Sequence, residues 1–315
     1  MEYSVLAYYV IREVHDPQSE VKAHRNFLSS LDSRGRIYIG TEGINAQLSV
    51  ATKDLDKYLN YIKEHPVFYD ADVKIHSSDQ HAFAKLKVKY RKQLVAIDRK
   101  VDFNQRGEYL NSDEWAEKLE NRDENTIVID TRNSYETKVG HFEGSMLPDL
   151  QTFRQFPEYA EDLAKKYDNE KTKVMMFCTG GIRCEYYSAL MKEIGFKNVY
   201  HLKGGVIKYG IEKGRKHWKG KLFVFDDRMN VPICDGNHEV IAQCHFCGKP
   251  NDTFYNCANM DCNDLFTSCP ECVASHKGCC STDCLENGRV RAFEPSDHPK
   301  PFRKLSQEEK ISLKK

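Results

Sequence analysis

Residues 178–184 read Cys-Thr-Gly-Gly-Ile-Arg-Cys. They follow the apolar run Val174-Met175-Met176-Phe177 and precede Glu185-Tyr186-Tyr187-Ser188-Ala189-Leu190-Met191. A short apolar run followed by a longer segment with few breakers reads as a buried strand turning into a helix. Cys178 therefore stands at the turn. A loop closing onto a helix N-terminus aims several backbone N–H groups inward, and with the helix dipole they form an anion cradle. Gly180 and Gly181 allow close backbone approach, Thr179 and Ile182 complete the loop, and Arg183 adds a fixed positive charge. A thiol in that cradle is stabilised as its thiolate. Cys178 is expected to be a nucleophile with a lowered pKa.

The loop length separates two chemistries. Cysteine-dependent phosphatases use C-x5-R, a ring that holds a tetrahedral phosphate. Here the spacing is C-x4-R, and the next position is Cys184. The smaller ring suits one terminal sulfur atom, so a persulfide on Cys178 is expected over phosphate hydrolysis. The alternative is a small buried residue at a strand end. Asp130 ends another apolar run; it is expected to hold Arg183 or loop amides through charge-assisted hydrogen bonds, or else to form a turn. Arg132 either adds positive potential at the mouth or is solvated. Cys184 either resolves a persulfide or sulfenic acid as a disulfide or packs inward. Glu185 complements the helix dipole.

The elements that position these residues can be read from periodicity. Strand Thr126–Asp130, helix Pro157–Tyr167, strand Lys173–Phe177, helix Cys184–Ile194 and strand Asn198–Leu202 alternate after an entry helix at Asp113–Leu119. Such alternation implies a parallel sheet covered on both faces, with its site at the carboxyl ends of the strands. Asp130 and Cys178 then share one edge. The first hundred residues read as βαββαβ with an additional strand, the order of a ferredoxin-like split βαβ unit. Its last strand is placed at Ala82–Ile97, and Val101–Tyr109 reads as a linker.

Two further clusters carry chemistry. Lys85, Lys87, Lys89 and Arg91 alternate with Leu86, Val88 and Tyr90, which puts four basic side chains on one strand face. No acidic residue occurs between Gln80 and Ile97. The stripe suits a nucleic-acid backbone, and Arg34 and Arg36 extend it; the alternative is a solvated sheet face. Near the other end, nine of the twelve cysteines fall between Cys244 and Cys284. Cys244-x2-Cys247, Cys257-x4-Cys262 and Cys269-x2-Cys272, followed by Cys279, Cys280 and Cys284, have zinc spacing, with His245 and His276 as substitute ligands. They supply two four-cysteine structural sites with Cys279 to spare. Which cysteines share an ion is open, and an iron–sulfur cluster is the alternative.

The 315 residues exceed the size at which single cores stop growing, roughly 250–300 residues, so two or three domains are expected. Formal net charge is zero, which excludes a global basic field; any nucleic-acid binding must be local. No apolar run approaches the roughly 20 residues of a membrane span. Met1-Glu2-Tyr3-Ser4-Val5-Leu6 lacks the pattern of a signal peptide, so a cytoplasmic protein with reduced cysteines is expected.

Asp130-Thr131-Arg132, Tyr135-Glu136, Gly140-His141-Phe142-Glu143-Gly144-Ser145, the Cys178–Arg183 loop and His201-Leu202-Lys203-Gly204-Gly205 together resemble a rhodanese domain. Arg36-Ile37-Tyr38-Ile39 through Glu42-Gly43-Ile44-Asn45, Phe225-Asp226-Asp227-Arg228-Met229 and the cysteine-rich end extend the resemblance to the rhodanese-type tRNA uridine(34) hydroxylases over nearly the whole chain. Gly144–Pro148 departs from the Ala-Ile/Val-Asn step of many rhodaneses, which bears on the pocket wall.

The resemblance, together with the element order, cysteine spacing and composition, implies an α/β architecture in five parts. These are a ferredoxin-like α+β domain at 1–100, a linker and entry helix at 101–122 and a rhodanese domain with a parallel sheet at 123–220. A cysteine-rich zinc-binding segment follows at 221–294, then a polar tail at 295–315. It also implies tRNA as partner, oxygen-dependent 5-hydroxylation of the wobble uridine with molecular oxygen as co-substrate, and Cys178 as the persulfide-bearing cysteine. No flavin or haem motif is seen in the sequence. Two other functions fit the residues alone: a sulfurtransferase or sulfur-relay protein, and a zinc-dependent interaction module.

Overall fold

The computed structural model describes residues 2–293, so the polar tail expected at 295–315 lies outside the described residues. The chain divides into two compact units. One comprises the first 137 residues with Phe142–Trp218 and Ile233–Asp235; the other comprises Lys138–His141, Lys219–Pro232 and the chain from Gly236 on.

The first unit begins with β1 (Tyr3–Ile11), α1 (Pro17–Ser29), β2 (Ser33–Gly40), β3 (Gly43–Ala51), α2 (Leu55–Lys63), β4 (Lys74–Ser78) and β5 (Leu86–Tyr90). Asp16 caps α1 by accepting from the amides of Gln18 and Ser19, and Pro17 occupies the first turn, where no N–H is missed. The strands form one sheet in the order β4-β1-β3-β2-β5. β1 pairs antiparallel with β3 and β4, β2 antiparallel with β3, and the added strand β5 parallel with β2. This is the ferredoxin-like arrangement with one extra edge strand.

The register sorts the side chains into two faces. Tyr8, Ala46, Ile37 and Val88 lie side by side on β1, β3, β2 and β5. All four are buried in one core with Val21 and Leu28 of α1 and Tyr58 and Ile62 of α2. The neighbouring rung, on the opposite face, reads Lys74, Ala7, Gln47, Arg36, Lys87 from β4 to β5.

The chain leaves β5 earlier than the sequence pattern suggests. Strand pairing ends at Tyr90, and Val95 and Ile97 are buried in the next core instead. The chain goes on through β6 (Glu108–Leu110), α3 (Ser112–Glu120), β7 (Thr126–Asp130), α4 (Ser134–Thr137), β8 (Gly140–Phe142), α5 (Phe156–Lys166), β9 (Lys173–Phe177), α6 (Ile182–Ile194), β10 (Asn198–Leu202) and α7 (Gly205–Lys213), and that core is built from β7, α5, β9, α6 and β10. The parallel sheet runs β6-β10-β9-β7. β6 falls within the stretch read as linker. Three residues with two side chains exposed give no periodic signal, and only its parallel register with β10 makes it a strand.

The second unit holds the cysteines. After β11 (Trp218–Gly220), β12 (Leu222–Phe223) and β13 (Asn230–Val231) come the hairpin β14 (Phe254–Asn256) and β15 (Leu265–Thr267), then α8 (Pro270–Ser275) and α9 (Thr282–Glu286). The core around them is small: Tyr255, Cys257, Ala258, Phe266, Val273 and Cys279. Among the described residues, no helix is long and apolar enough to cross a membrane.

Candidate active site and metal centres

β9 ends at Phe177, directly beside Asp130 at the end of β7. Cys178 follows with no exposed surface. Its loop is pinned from α7, where the Val206 amide donates to the Cys178 carbonyl and that of Ile207 to the Thr179 carbonyl, both at 3.0 Å. Gly205 must be glycine: it has φ +68°, and a Cβ there would stand 2.6 Å from the carbonyl oxygens of Cys178 and Thr179. At the other side Gly181 caps α6 at φ +103°. Its amide donates to Cys178 Sγ at 3.1 Å. Gly180 is half-buried and faces open space, so the loop is approached there.

The electrostatics favour the thiolate. Burial alone would push the Cys178 thiol up. Hydrogen bonding from the Cys184 thiol, the Arg183 charge and the amides of Cys184 and Gly181 outweigh it and bring the value down to about 6. Cys184 moves the other way: burial and the neighbouring Cys178 both raise it, so one proton stays with Cys184. Since deprotonation creates the nucleophile, reactivity is expected to fall as pH drops through about 6 and to be level above it. Alkylation of Cys178 by iodoacetamide, followed by peptide mass spectrometry across pH, checks this; a midpoint near that of an ordinary thiol, about 8.5, would contradict it.

Arg183 and Asp130 do not meet. Arg183 is buried and bonds Glu136 through both carboxylate oxygens, at 2.6 and 2.8 Å, and Thr179 Oγ1 at 3.1 Å. Asp130 instead takes Arg132, whose Nε and Nη2 reach it at 2.9 and 2.6 Å. Arg132 is likewise buried, between that carboxylate and the rings of Phe177 and Trp218, so it is neither solvated nor at the mouth. The reason is chain geometry: an arginine two residues after a strand-end aspartate folds back onto it. Thr131, held between them, donates to the Phe177 carbonyl and contacts Cys184 Sγ at 3.7 Å, which places the Cys184 side chain in the interior.

Four side chains with no role expected from the sequence stand around the loop: Glu136, Tyr9, Arg106 and Tyr109. Glu185 is buried and does more than complement a dipole. It accepts from Tyr9 of β1 at 2.6 Å, from Tyr109 at 2.8 Å and from Arg106 at 2.7 Å. The Tyr9 hydroxyl lies 2.9 Å from where a Gly181 Cβ would be, so the first sheet reaches the cysteine loop. Tyr186, the next residue on α6, donates to Glu42 at 2.6 Å and fastens the same two sheets. Glu136 and Glu42 stood in motifs; Tyr9, Arg106 and Tyr109 reach Glu185 from far along the chain and leave no spacing to read.

The basic residues gather on the face of the first sheet opposite the core shared with α1 and α2. Arg36 lies beside Lys87 and Tyr38 beside Lys89. Arg91 stacks over the Tyr38 ring, with its guanidinium carbon 5.0 Å from the centroid. Arg34, Arg36, Lys85, Lys89 and Arg91 are exposed and Lys87 half-buried. At the opposite end of the rung from Lys87 stands Lys74.

In the second unit eight cysteines fall into two groups, Cys244 with Cys247, Cys269 and Cys272, and Cys257 with Cys262, Cys280 and Cys284. The pairs interleave along the chain, so each group ties together segments that the other group separates. Sulfur–sulfur distances of 3.9 Å (Cys247–Cys269), 3.7 Å (Cys262–Cys280) and 3.7 Å (Cys280–Cys284) suit a tetrahedral ion. Metal–sulfur bonds of about 2.3 Å give an edge of about 3.8 Å. Either group could hold a metal. Glu20, His24 and His65 form a third cluster. Here the amides of Val67 and Phe68 both donate to His65 Nδ1, so its proton sits on Nε2 and bonds Glu20 at 3.0 Å. That tautomer closes His65 to a metal.

A thiolate cradle at the carboxyl edge of a parallel sheet defines the class. The description "Rhodanese-like domain" matches residues 112–211, flanked by "UPF0176 acylphosphatase like domain" at 3–94 and "Rhodanase C-terminal" at 219–285. Over 305 residues the chain is 50% identical to a tRNA uridine(34) hydroxylase of Chlamydia trachomatis, covering 96% of this chain and 92% of that one. It is 51% identical over 306 residues to the protein of that name from Chlamydia caviae, with the same coverage. With the one from Protochlamydia amoebophila it shares 48% over 302 residues, 96% of this chain and 94% of that one. The chain belongs to the tRNA uridine(34) hydroxylase family.

Proposed function

We propose that this protein hydroxylates C5 of the wobble uridine of tRNA, with dioxygen as oxidant, one oxygen atom entering C5 and the other leaving as water on two electrons and two protons from an external reductant, and with Cys178 as the reacting thiolate, carried as a persulfide. The observation that carries this reading is the cradle: a buried sulfur lowered to about 6, with an amide at 3.1 Å and open space beside Gly180. A persulfide carries the charge one atom further from the Cys178 backbone, toward a base bound at the loop. Arg183, locked by Glu136, supplies a fixed cation that costs no reorganisation when charge develops. Asp130 and Arg132 act indirectly, by fixing the β7 end on which Thr131 and Cys184 rest.

The basic face suits the RNA backbone. Rung residues Lys87 and Arg36 start a line that crosses four strand spacings, roughly 19 Å, to Lys74 near the cysteine loop. The two four-cysteine groups hold zinc in a structural role, since every position of a tetrahedron is taken by protein. Sulfur transfer to another acceptor is the competing reading of the same thiolate.

The test is nucleoside mass spectrometry of tRNA from a host lacking wobble-uridine hydroxylation and expressing this protein. Appearance of 5-hydroxyuridine or its alkylated descendants, dependent on aeration, is the expected result. Their absence despite a folded protein, together with sulfur transfer from thiosulfate, would replace this reading with a sulfur relay.

A further inference from the structure

Lys74 is a lysine of the first sheet that is only 6% exposed. Three groups surround its ammonium. Asp72 Oδ2 lies at 3.4 Å, the Tyr9 ring has its centroid 5.6 Å away, and Lys208 of α7 binds the same Asp72 oxygen at 3.2 Å. The Tyr9 hydroxyl stands over Gly181, whose amide holds Cys178 Sγ. Lys74 thus comes to the cysteine loop from across Tyr9, and its charge interacts with that of Cys178. Burial lowers its pKa, while Asp72 opposes the fall. A lysine so desolvated does nothing for the sheet that an apolar residue would not do better.

We propose that Lys74 reads the target base: its ammonium donates to O4 of the uracil presented to Cys178. The inference rests on the tRNA reading above. An ammonium has three donors and no acceptor. Uracil offers O2 and O4 and has no exocyclic amino group, whereas cytosine turns a donor toward the O4 position. A fixed donor there accepts uracil and repels cytosine, because the mismatch leaves a desolvated charge facing an N–H. Tyr9 and Asp72 are positioning residues. Tyr9 is held by Glu185 and gives Lys74 a ring to lie against; Asp72 keeps the ammonium charged.

The test uses the full chain, anticodon stem-loop RNAs carrying uridine or cytidine at the wobble position, and alkylation of Cys178 as readout. The uridine RNA is expected to protect Cys178 better than the cytidine RNA, by about tenfold in the concentration required, the worth of one charged hydrogen bond. Lys74→Met should abolish the difference and Lys74→Arg should keep part of it. Without RNA, Lys74→Met should also raise the pH midpoint of Cys178 alkylation, because one cation facing the thiolate is gone; Arg183, Cys184 and Tyr9 still face it. Unchanged uridine preference in Lys74→Met overturns the assignment and leaves the tRNA reading standing. Failure of both RNAs to protect the unmutated protein overturns both.

Discussion

Cys178→Ala is expected to lower tRNA hydroxylation at least about a thousandfold while leaving the fold in place, because removal of an enzyme nucleophile leaves only binding and orientation to act. The substitution deletes one buried sulfur from a loop whose path is fixed by other groups. Val206 and Ile207 hold its carbonyls, Gly205 fits under it, and Glu136 holds Arg183. Stability should therefore drop only by about 1 kcal/mol, the common cost of a single substitution. Nucleoside mass spectrometry of tRNA from cells expressing each form measures the loss, and a thermal melt of each purified form measures the fold. Full hydroxylation by Cys178→Ala would remove the thiolate from the mechanism. The adjacent Cys184 is not a substitute, since its proton is held by burial and by Cys178 itself.

Local chemistry was legible in the sequence wherever the residues concerned are close together. The C-x4-R loop announces a cradle because six consecutive residues build it. The zinc spacing announces itself for the same reason, and the ferredoxin-like order follows from simple periodicity. What stayed hidden lies in pairings across long separations. Arg183 chose Glu136, 47 residues away, over Asp130. Glu185 gathers Tyr9 from β1 and Arg106 and Tyr109 from one stretch about a hundred residues further on. Nothing in the first strand, SVLAYYVIR, says that one of its two tyrosines faces the core and the other the cysteine loop. The register decides it, through a two-residue period whose phase is set only when β1 pairs with β3. Lys74 was invisible for the same reason, as a single basic residue at the start of a short strand. The partition of the cysteines was equally out of reach: spacing proposes knuckles, but only the hairpin β14–β15 and the turn into α8 bring Cys244 and Cys247 to Cys269 and Cys272.

Removal of metal is expected to unfold the cysteine-rich segment and spare the first unit. The segment from Cys244 to Cys284 orders its backbone at a cost of about 1–2 kcal/mol per residue, and its apolar core holds six residues, two of them cysteines. Such a core cannot offset the loss alone, whereas each structural zinc contributes on the order of 10–16 kcal/mol. Four thiolates whose sulfurs lie within 4.8 Å of one another also repel when no cation sits among them. Titration with an organomercurial in the presence of a zinc-sensitive dye should release about two equivalents per chain, one for each group. Limited proteolysis should then cut the cysteine-rich segment while the rhodanese domain resists. Two single variants sharpen the result. Cys247→Ser should lose one equivalent, because Cys247 belongs to a group; Cys279→Ser should lose none, because its sulfur lies outside both groups and contacts the Cys284 carbonyl instead. A visible chromophore in the purified protein would point to an iron–sulfur cluster. Loss of zinc from Cys279→Ser would mean that the partition of the thiolates differs from the one drawn by the interleaved pairs.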